Sequence, residues 1–225
     1  MSDNSISIDV VSDVVCPWCF LGEKRLRAAI AAVGDVDVTV RWRPFQLDPT
    51  IPPEGKDRKD YMRAKFGDGD RLHQIHANLT SLGAVEGISF DFDAIRVSPN
   101  TLDAHRVIRW AGTMGEAEQN RLVEELFSRY FERGENTGDA GVLIEAAKAA
   151  GMDTAVVETL LPTDADADAV RAEINTAARM GITGVPCFLL EGKYAVMGAQ
   201  ETGVLADAIR QIAAAKARGE LEKAE

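Results

Sequence analysis

The chain is poor in the residues that would let it be held together by anything but a core. It has only three cysteines and three histidines among 225 residues. Three cysteines cannot staple a scaffold with several disulfides. A structural zinc site needs about four ligands. The thiols and imidazoles available are Cys16, Cys19, Cys187, His73, His76 and His105, with no second Cys-x-x-Cys and no His-x-x-x-His spacing. A metal site is therefore not expected. Basic charge is also scarce, 25 Lys and Arg against 36 Asp and Glu, a net charge of −11. Phosphate binding needs clustered cations, so nucleic acid is excluded as a partner. No apolar run approaches the roughly 20 residues that span a bilayer, so no membrane association is expected. Residues 1–15 lack a basic stretch, an apolar segment and a small-residue cleavage site. Asp3 and Asp9 would be out of place in a secretory signal. The expected compartment is the cytoplasm, where a cysteine pair more often serves catalysis or metal binding than cross-linking.

What is present is a core-forming hydrophobic content of 46% and one conspicuous tetrapeptide, Cys16-Pro17-Trp18-Cys19. It falls where an apolar run, Ile6 to Val15, gives way to helical spacing of Leu21, Leu26, Ala29, Ile30 and Val33. Pro17 at the first helical position needs no amide donor and has a helical φ already. Cys16 is then the N-cap and Cys19 lies one turn inside. Free amides and the positive end of the helix dipole favour a thiolate at Cys16. The pattern is that of a thiol-exchange pair, Cys16 attacking and Cys19 resolving the mixed disulfide. Asp13, three residues upstream, is a candidate proton carrier for the resolving thiol or a solvated carboxylate at a strand end.

The first helix is expected to stop at Gly34. Val36, Val38, Val40 and Trp42 then alternate as a half-buried strand. Pro44, Pro49, Pro52, Pro53 and Gly55 interrupt regular structure. From Lys56 to about Met180 the periodicity is helical, with segments at 60–66, 71–82, 101–114, 116–133, 139–150, 153–161 and 164–180. Asn100 or Thr101 caps the third of these. Asp164, Asp166 and Asp168 alternate at a spacing that does not converge on a helix, so they read as a charged first turn. His73 and His76 share no clear partner and read as surface residues. Cys187 to Leu190 and Tyr194 to Met197 read as two strands, and Val204 to Ala217 as a closing helix. The organisation expected is residues 1–52 as the first part of an α/β domain, 53–182 as a large all-helical insertion, and 183–225 as the second part.

Taken together, these motifs resemble the thioredoxin superfamily, in its DsbA-like branch with a helical insertion. Local matches are similar to the FrnE-like group: Cys16-Pro-Trp-Cys with Phe-Leu-Gly, Arg43-Pro-Phe-Gln-Leu-Asp-Pro49, Asn100-Thr-Leu-Asp-Ala-His-Arg106 and Met197-Gly-Ala-Gln200. The resemblance implies a thioredoxin-like fold, a central mixed sheet with flanking helices. It also implies that Val185-Pro186 is a cis-proline loop facing the thiols, pairing by backbone with an extended substrate. The implied activity is thiol–disulfide exchange on a protein or small-molecule substrate, with no metal or organic cofactor and with glutathione as a candidate co-substrate. In similar sequences the Asn100–Arg106 stretch lines the cleft, which makes Asn100 and Thr101 candidate substrate contacts. His105 is then either an acid–base group near Cys16 or a satisfied core histidine. Cys187 stands where similar sequences carry Thr. It either approaches the cysteine pair, as an alternative disulfide partner or metal ligand, or fills a small apolar place at a strand start. Trp18 replaces the His of the strongly oxidising members, so an extreme potential is not expected. Related kappa-class glutathione transferases and hydroxychromene-carboxylate isomerases supply the rival activity, glutathione-dependent isomerisation or transfer. They carry Ser at the Cys16 position. A non-enzymatic redox sensor or metal-binding scaffold is the other alternative, and a homodimer through the insertion stays open.

Overall fold

A computed structural model describes residues 4–67 and 70–221 of the chain. The sheet is mixed, in the order β2 (Asp37–Pro44), β1 (Ser5–Ser12), β5 (Cys187–Leu190), β6 (Tyr194–Met197). β1 runs parallel to β2 and antiparallel to β5. β6 closes the far edge against β5. β1 is paired on both edges, and its sequence alternates: Ile6, Ile8 and Val10 are buried on one face while Ser5, Ser7 and Asp9 are half-buried on the other until Val11.

The alternation along the strands sorts two cores. Ile6, Ile8, Val10, Phe188 and Leu190 join α1 (Pro17–Ala32) and α9 (Thr202–Ala217) in the main core. Val11, Cys187 and Leu189 join a smaller one with Ala177 of α8 (Ala167–Arg179) and Ile182. α1 begins at Pro17, as its sequence dictates. It ends differently from expectation: Val33 is the cap, donating to Ala29 and Ile30 carbonyls, and Gly34 is not among the left-handed glycines.

Between β2 and β5 lie α2 (Arg58–Phe66), α3 (Asp70–Val85), α4 (Leu102–Met114), α5 (Glu116–Phe131), α6 (Ala140–Ala149), α7 (Thr154–Leu160) and α8. Asp57, Asp139 and Asp153 cap three of these by accepting backbone N–H groups, the expected use of acidic residues at helix starts. The insertion also holds a short ladder absent from the helical reading, β3 (Lys56–Asp57) with β4 (Val97–Ser98). Two-residue strands are too short to leave a periodicity.

The insertion is welded to the sheet. β2 is an edge strand, and an edge strand exposes unpaired amides. Here the Val40 amide donates to Glu116 Oε1 at 2.7 Å and the Trp42 amide to Gln119 Oε1 at 3.0 Å. The Trp42 indole donates to Asn120 Oδ1 at 2.7 Å. Phe20, directly after the Cys pair, stacks on Phe127 of α5 at 5.2 Å and meets Phe90 edge-on at 5.9 Å. One core therefore runs from α1 into the insertion, and the cleft at its surface has two fixed walls.

Candidate active site

Cys16 and Cys19 approach to 3.4 Å at the start of α1. Both are buried and neither is bridged. Cys16 is the N-cap residue in extended backbone, and its carbonyl receives the Cys19 and Phe20 amides. Its thiol donates across the chain to the Val185 carbonyl at 3.7 Å. The Val185–Pro186 peptide is cis. α1 and this loop meet at Gly22, where a Cβ would lie 3.0 Å from Pro186 Cγ and 3.1 Å from Phe188. Only a residue without a side chain lets the helix sit this near.

Burial pushes the Cys19 thiol well up, and the neighbouring Cys16 pushes it further. The Ser12 hydroxyl and the Asp13 backbone oppose the shift. Ser12 Oγ makes no hydrogen bond of normal geometry, so its effect is that of a nearby dipole. Asp13 is itself buried, not solvated at a strand end. One carboxylate oxygen accepts the Leu47 amide at 2.8 Å. The other has no hydrogen bond and stands 3.5 Å from His105 Nε2. That nitrogen is 2.8 Å from the Phe45 carbonyl. A carbonyl can only accept, so Nε2 carries the proton. His105 is thus a buried neighbour of Asp13.

The remaining candidates separate. Thr101 lines the cleft. Asn100 is fully engaged, accepting from Gln46 and Leu102 and donating to the Ile51 carbonyl at 2.6 Å. It ties the 46–51 loop to the start of α4. Cys187 packs in the smaller core with Val11 and Ile182, apart from the core that holds Cys16 and Cys19. Burial raises its thiol, and it lies fully buried at the start of β5. Among the described residues no group of three potential ligands could hold a metal.

A cleft of about 340 Å³ opens beside Cys16, Pro17, Trp18 and Val185. Its far wall comes from α2 and α3 and was not legible as a site in the sequence. His76, read there as a surface residue, stacks on Phe92 at 4.0 Å and 7° and lines this wall. Desolvation and the Arg58 charge lower its titration. Tyr61 is pushed up to about 12, chiefly by burial and then by Asp48.

A strand, a helix that opens with Cys16 and Cys19, and a cis-proline loop facing the first thiol define a thioredoxin-like fold. The chain belongs to the DSBA-like thioredoxin domain family, whose model matches residues 7–210. It is similar to the probable DsbA oxidoreductase SCO1869 of Streptomyces coelicolor, at 31% identity and a TM-score of 0.82 over 98% of this chain and 93% of that one. It is 26% identical to the uncharacterized protein YwbO of Bacillus subtilis, over 91% of this chain and 96% of that protein. It also shares its fold with a 2-hydroxychromene-2-carboxylate isomerase, at 18% identity and a TM-score of 0.69 over 96% of this chain and all of that one. No helix among the described residues is long and apolar enough to cross a membrane.

Proposed function

We propose that the protein is a thiol–disulfide oxidoreductase in which Cys16 is the nucleophile and Cys19 the resolving thiol. The observation that carries this reading is the position of Cys16: at a helix N-terminus, 3.4 Å from Cys19, and facing a backbone carbonyl beside an open cleft. The amides and dipole at the start of α1 favour negative charge on its sulfur. In the reducing direction Cys16 attacks a substrate disulfide, forms a mixed disulfide and expels one thiolate. Cys19 then gives up its proton, attacks the Cys16 sulfur and releases the second thiolate. Two electrons pass from the pair to the substrate, and the reverse sequence oxidises a dithiol. Pro17, Trp18, Val185 and Pro186 form the rim on which the substrate rests. Asp13 is the proton acceptor for Cys19, and His105 orients Asp13. No metal or organic cofactor enters the scheme. Glutathione is a candidate co-substrate, since the cleft presents cations, Arg58 and Lys65, to its carboxylates. The proposed compartment is the cytoplasm, where a lone vicinal pair serves chemistry.

Replacing the resolving thiol tests this. Cys19→Ser treated with an aromatic disulfide should accumulate one equivalent of mixed disulfide on Cys16. The wild-type protein should instead end as the Cys16–Cys19 disulfide with two thiols released. Modification at Cys187, or none, contradicts the assignment. A glutathione-dependent isomerase, by contrast, would keep its turnover in Cys19→Ser, because that chemistry needs only one sulfur at the helix start.

A further inference from the structure

One cleft runs from the thiols to the wall made by α2 and α3. Its volume of about 340 Å³ is in the range of small-molecule sites, roughly 300–1,000 Å³. Beyond Cys16 the wall is apolar, made by Ile75, Leu79 and Phe92. In that wall stands Arg58, the half-buried first residue of α2. Its side chain makes one long hydrogen bond, 3.4 Å to Ser98 Oγ, and lies 6.0 Å from the Tyr130 ring centre. Among the described residues it has no carboxylate partner. It shares the lining of the cleft with Tyr61, His76 and Tyr130.

Neither of the two carboxylates that line the cleft forms an ion pair with Arg58 among the described residues. Asp48 is held by the Thr50 amide at 2.9 Å and the Thr50 hydroxyl, and Tyr61 donates to it as well. Asp13 accepts from Leu47 on one oxygen and faces His105 Nε2 at 3.5 Å with the other. A partly desolvated guanidinium with five donors and a single weak partner is left with unmet hydrogen-bonding capacity. Its planar fork matches a carboxylate.

Resting on the oxidoreductase reading, we propose that this site takes a small disulfide or thiol with an apolar body and a carboxylate. The sulfur meets Cys16, the body lies along Ile75, Leu79 and Phe92, and the carboxylate pairs with Arg58. For the disulfide, Cys16 forms the mixed disulfide and one thiolate leaves. Cys19 then closes the internal disulfide and the second thiolate leaves, so the substrate gains the two electrons the dithiol loses.

The experiment mixes pre-reduced full-length protein with dithiodibenzoate or its uncharged bis-amide, in single turnover, and follows thiol release. The two probes share a body and differ in charge. The readout is the ratio of their second-order rate constants, which a general loss of folded protein or of thiol reactivity does not move. The ratio should favour the diacid in the wild-type protein, fall about tenfold in Arg58→Met, and be largely kept in Arg58→Lys; a charge-assisted hydrogen bond supports that magnitude. Ile75→Ser should slow both aromatic probes relative to hydroxyethyl disulfide. A ratio unmoved by Arg58→Met overturns the carboxylate assignment. Oxidised glutathione reacting faster than the diacid overturns the apolar body. If no disulfide oxidises the Cys pair, the oxidoreductase reading fails and the substrate assignment falls with it.

Discussion

Replacing Asp13 by Asn perturbs the proton side of the reaction while nearly conserving shape. Asp13 is 1% exposed, accepts the Leu47 amide on one oxygen and turns the other toward His105 Nε2 at 3.5 Å. An asparagine keeps an acceptor for Leu47 but aims its NH₂ at a nitrogen that already carries a proton. A donor facing a donor in a buried place costs about 1–3 kcal/mol, so a modest fall in stability is expected. The kinetic effect is larger. Burial and the adjacent Cys16 hold the Cys19 thiol well above its ordinary value. Even an unshifted thiol, with a pKa of about 8.5, is only about 3% ionised at pH 7, and Cys19 is less so. The resolving step must therefore remove a proton, and a positioned base contributes about 10²–10⁴-fold. The Asn variant should resolve its mixed disulfide at least about 100-fold more slowly at pH 7. Its rate should climb about tenfold per pH unit as hydroxide takes over, while the wild-type profile stays shallower. The assay loads Cys16 with an aromatic thiol and follows release of that thiol between pH 6 and 9. Equal rates with equal pH slopes in the two proteins would refute Asp13 as the acceptor.

Three further outcomes follow from the packing. Arg106 is 2% exposed and donates to the carbonyls of Leu160, Leu161, Thr163 and Ala165 and to Asp103. Arg106→Ala should lower urea-unfolding stability by about 3–5 kcal/mol, with Lys recovering only part because it cannot span four acceptors. A loss below about 1 kcal/mol would mean that the 160–165 loop is held by other contacts. Gly22→Val should destabilise by about 1–3 kcal/mol and also slow thiol exchange, since the new side chain meets Pro186; an unchanged exchange rate would show that the loop's place is immaterial. The folded Cys19 titrates above its unfolded value. Above pH about 8.5 the unfolded chain therefore releases a proton that the folded chain keeps. Stability of the reduced protein is thus full below that pH and is lost as pH rises through the folded value. Melts between pH 7 and 10 should show a smaller decline in Cys19→Ser, with Cys187 contributing to both; identical declines would contradict the burial of Cys19 as a proton-holding site.

The fold was readable where local chemistry is loud. Pro17 behind a strand fixed the helix start, the valines of β2 alternated, and Asp139 and Asp153 announced their caps. The resemblance led to Val185 and Pro186, which the structure sets against Cys16. What stayed hidden depends on long-range placement. Asp13 and Arg106 are charged and look like surface residues, yet both are buried, beside hydrogen-bond partners 34 and 59 positions away in the sequence. His76 gains its place only through stacking on Phe92. Arg58 is recognisable by having no carboxylate partner among the described residues, which no sequence pattern can display. Cys187 was open between two readings; its strand register, paired with Val11, turns it to the smaller core.

The central claim, that Cys16 and Cys19 form a working redox couple, is tested most directly by equilibrating the protein in glutathione buffers of graded ratio and mapping every cysteine by mass spectrometry. The account predicts a reversible two-electron transition between the dithiol and the Cys16–Cys19 disulfide, with Cys187 unmodified throughout. A pair that never interconverts, or a stable Cys16–glutathione adduct in place of the internal disulfide, would contradict it.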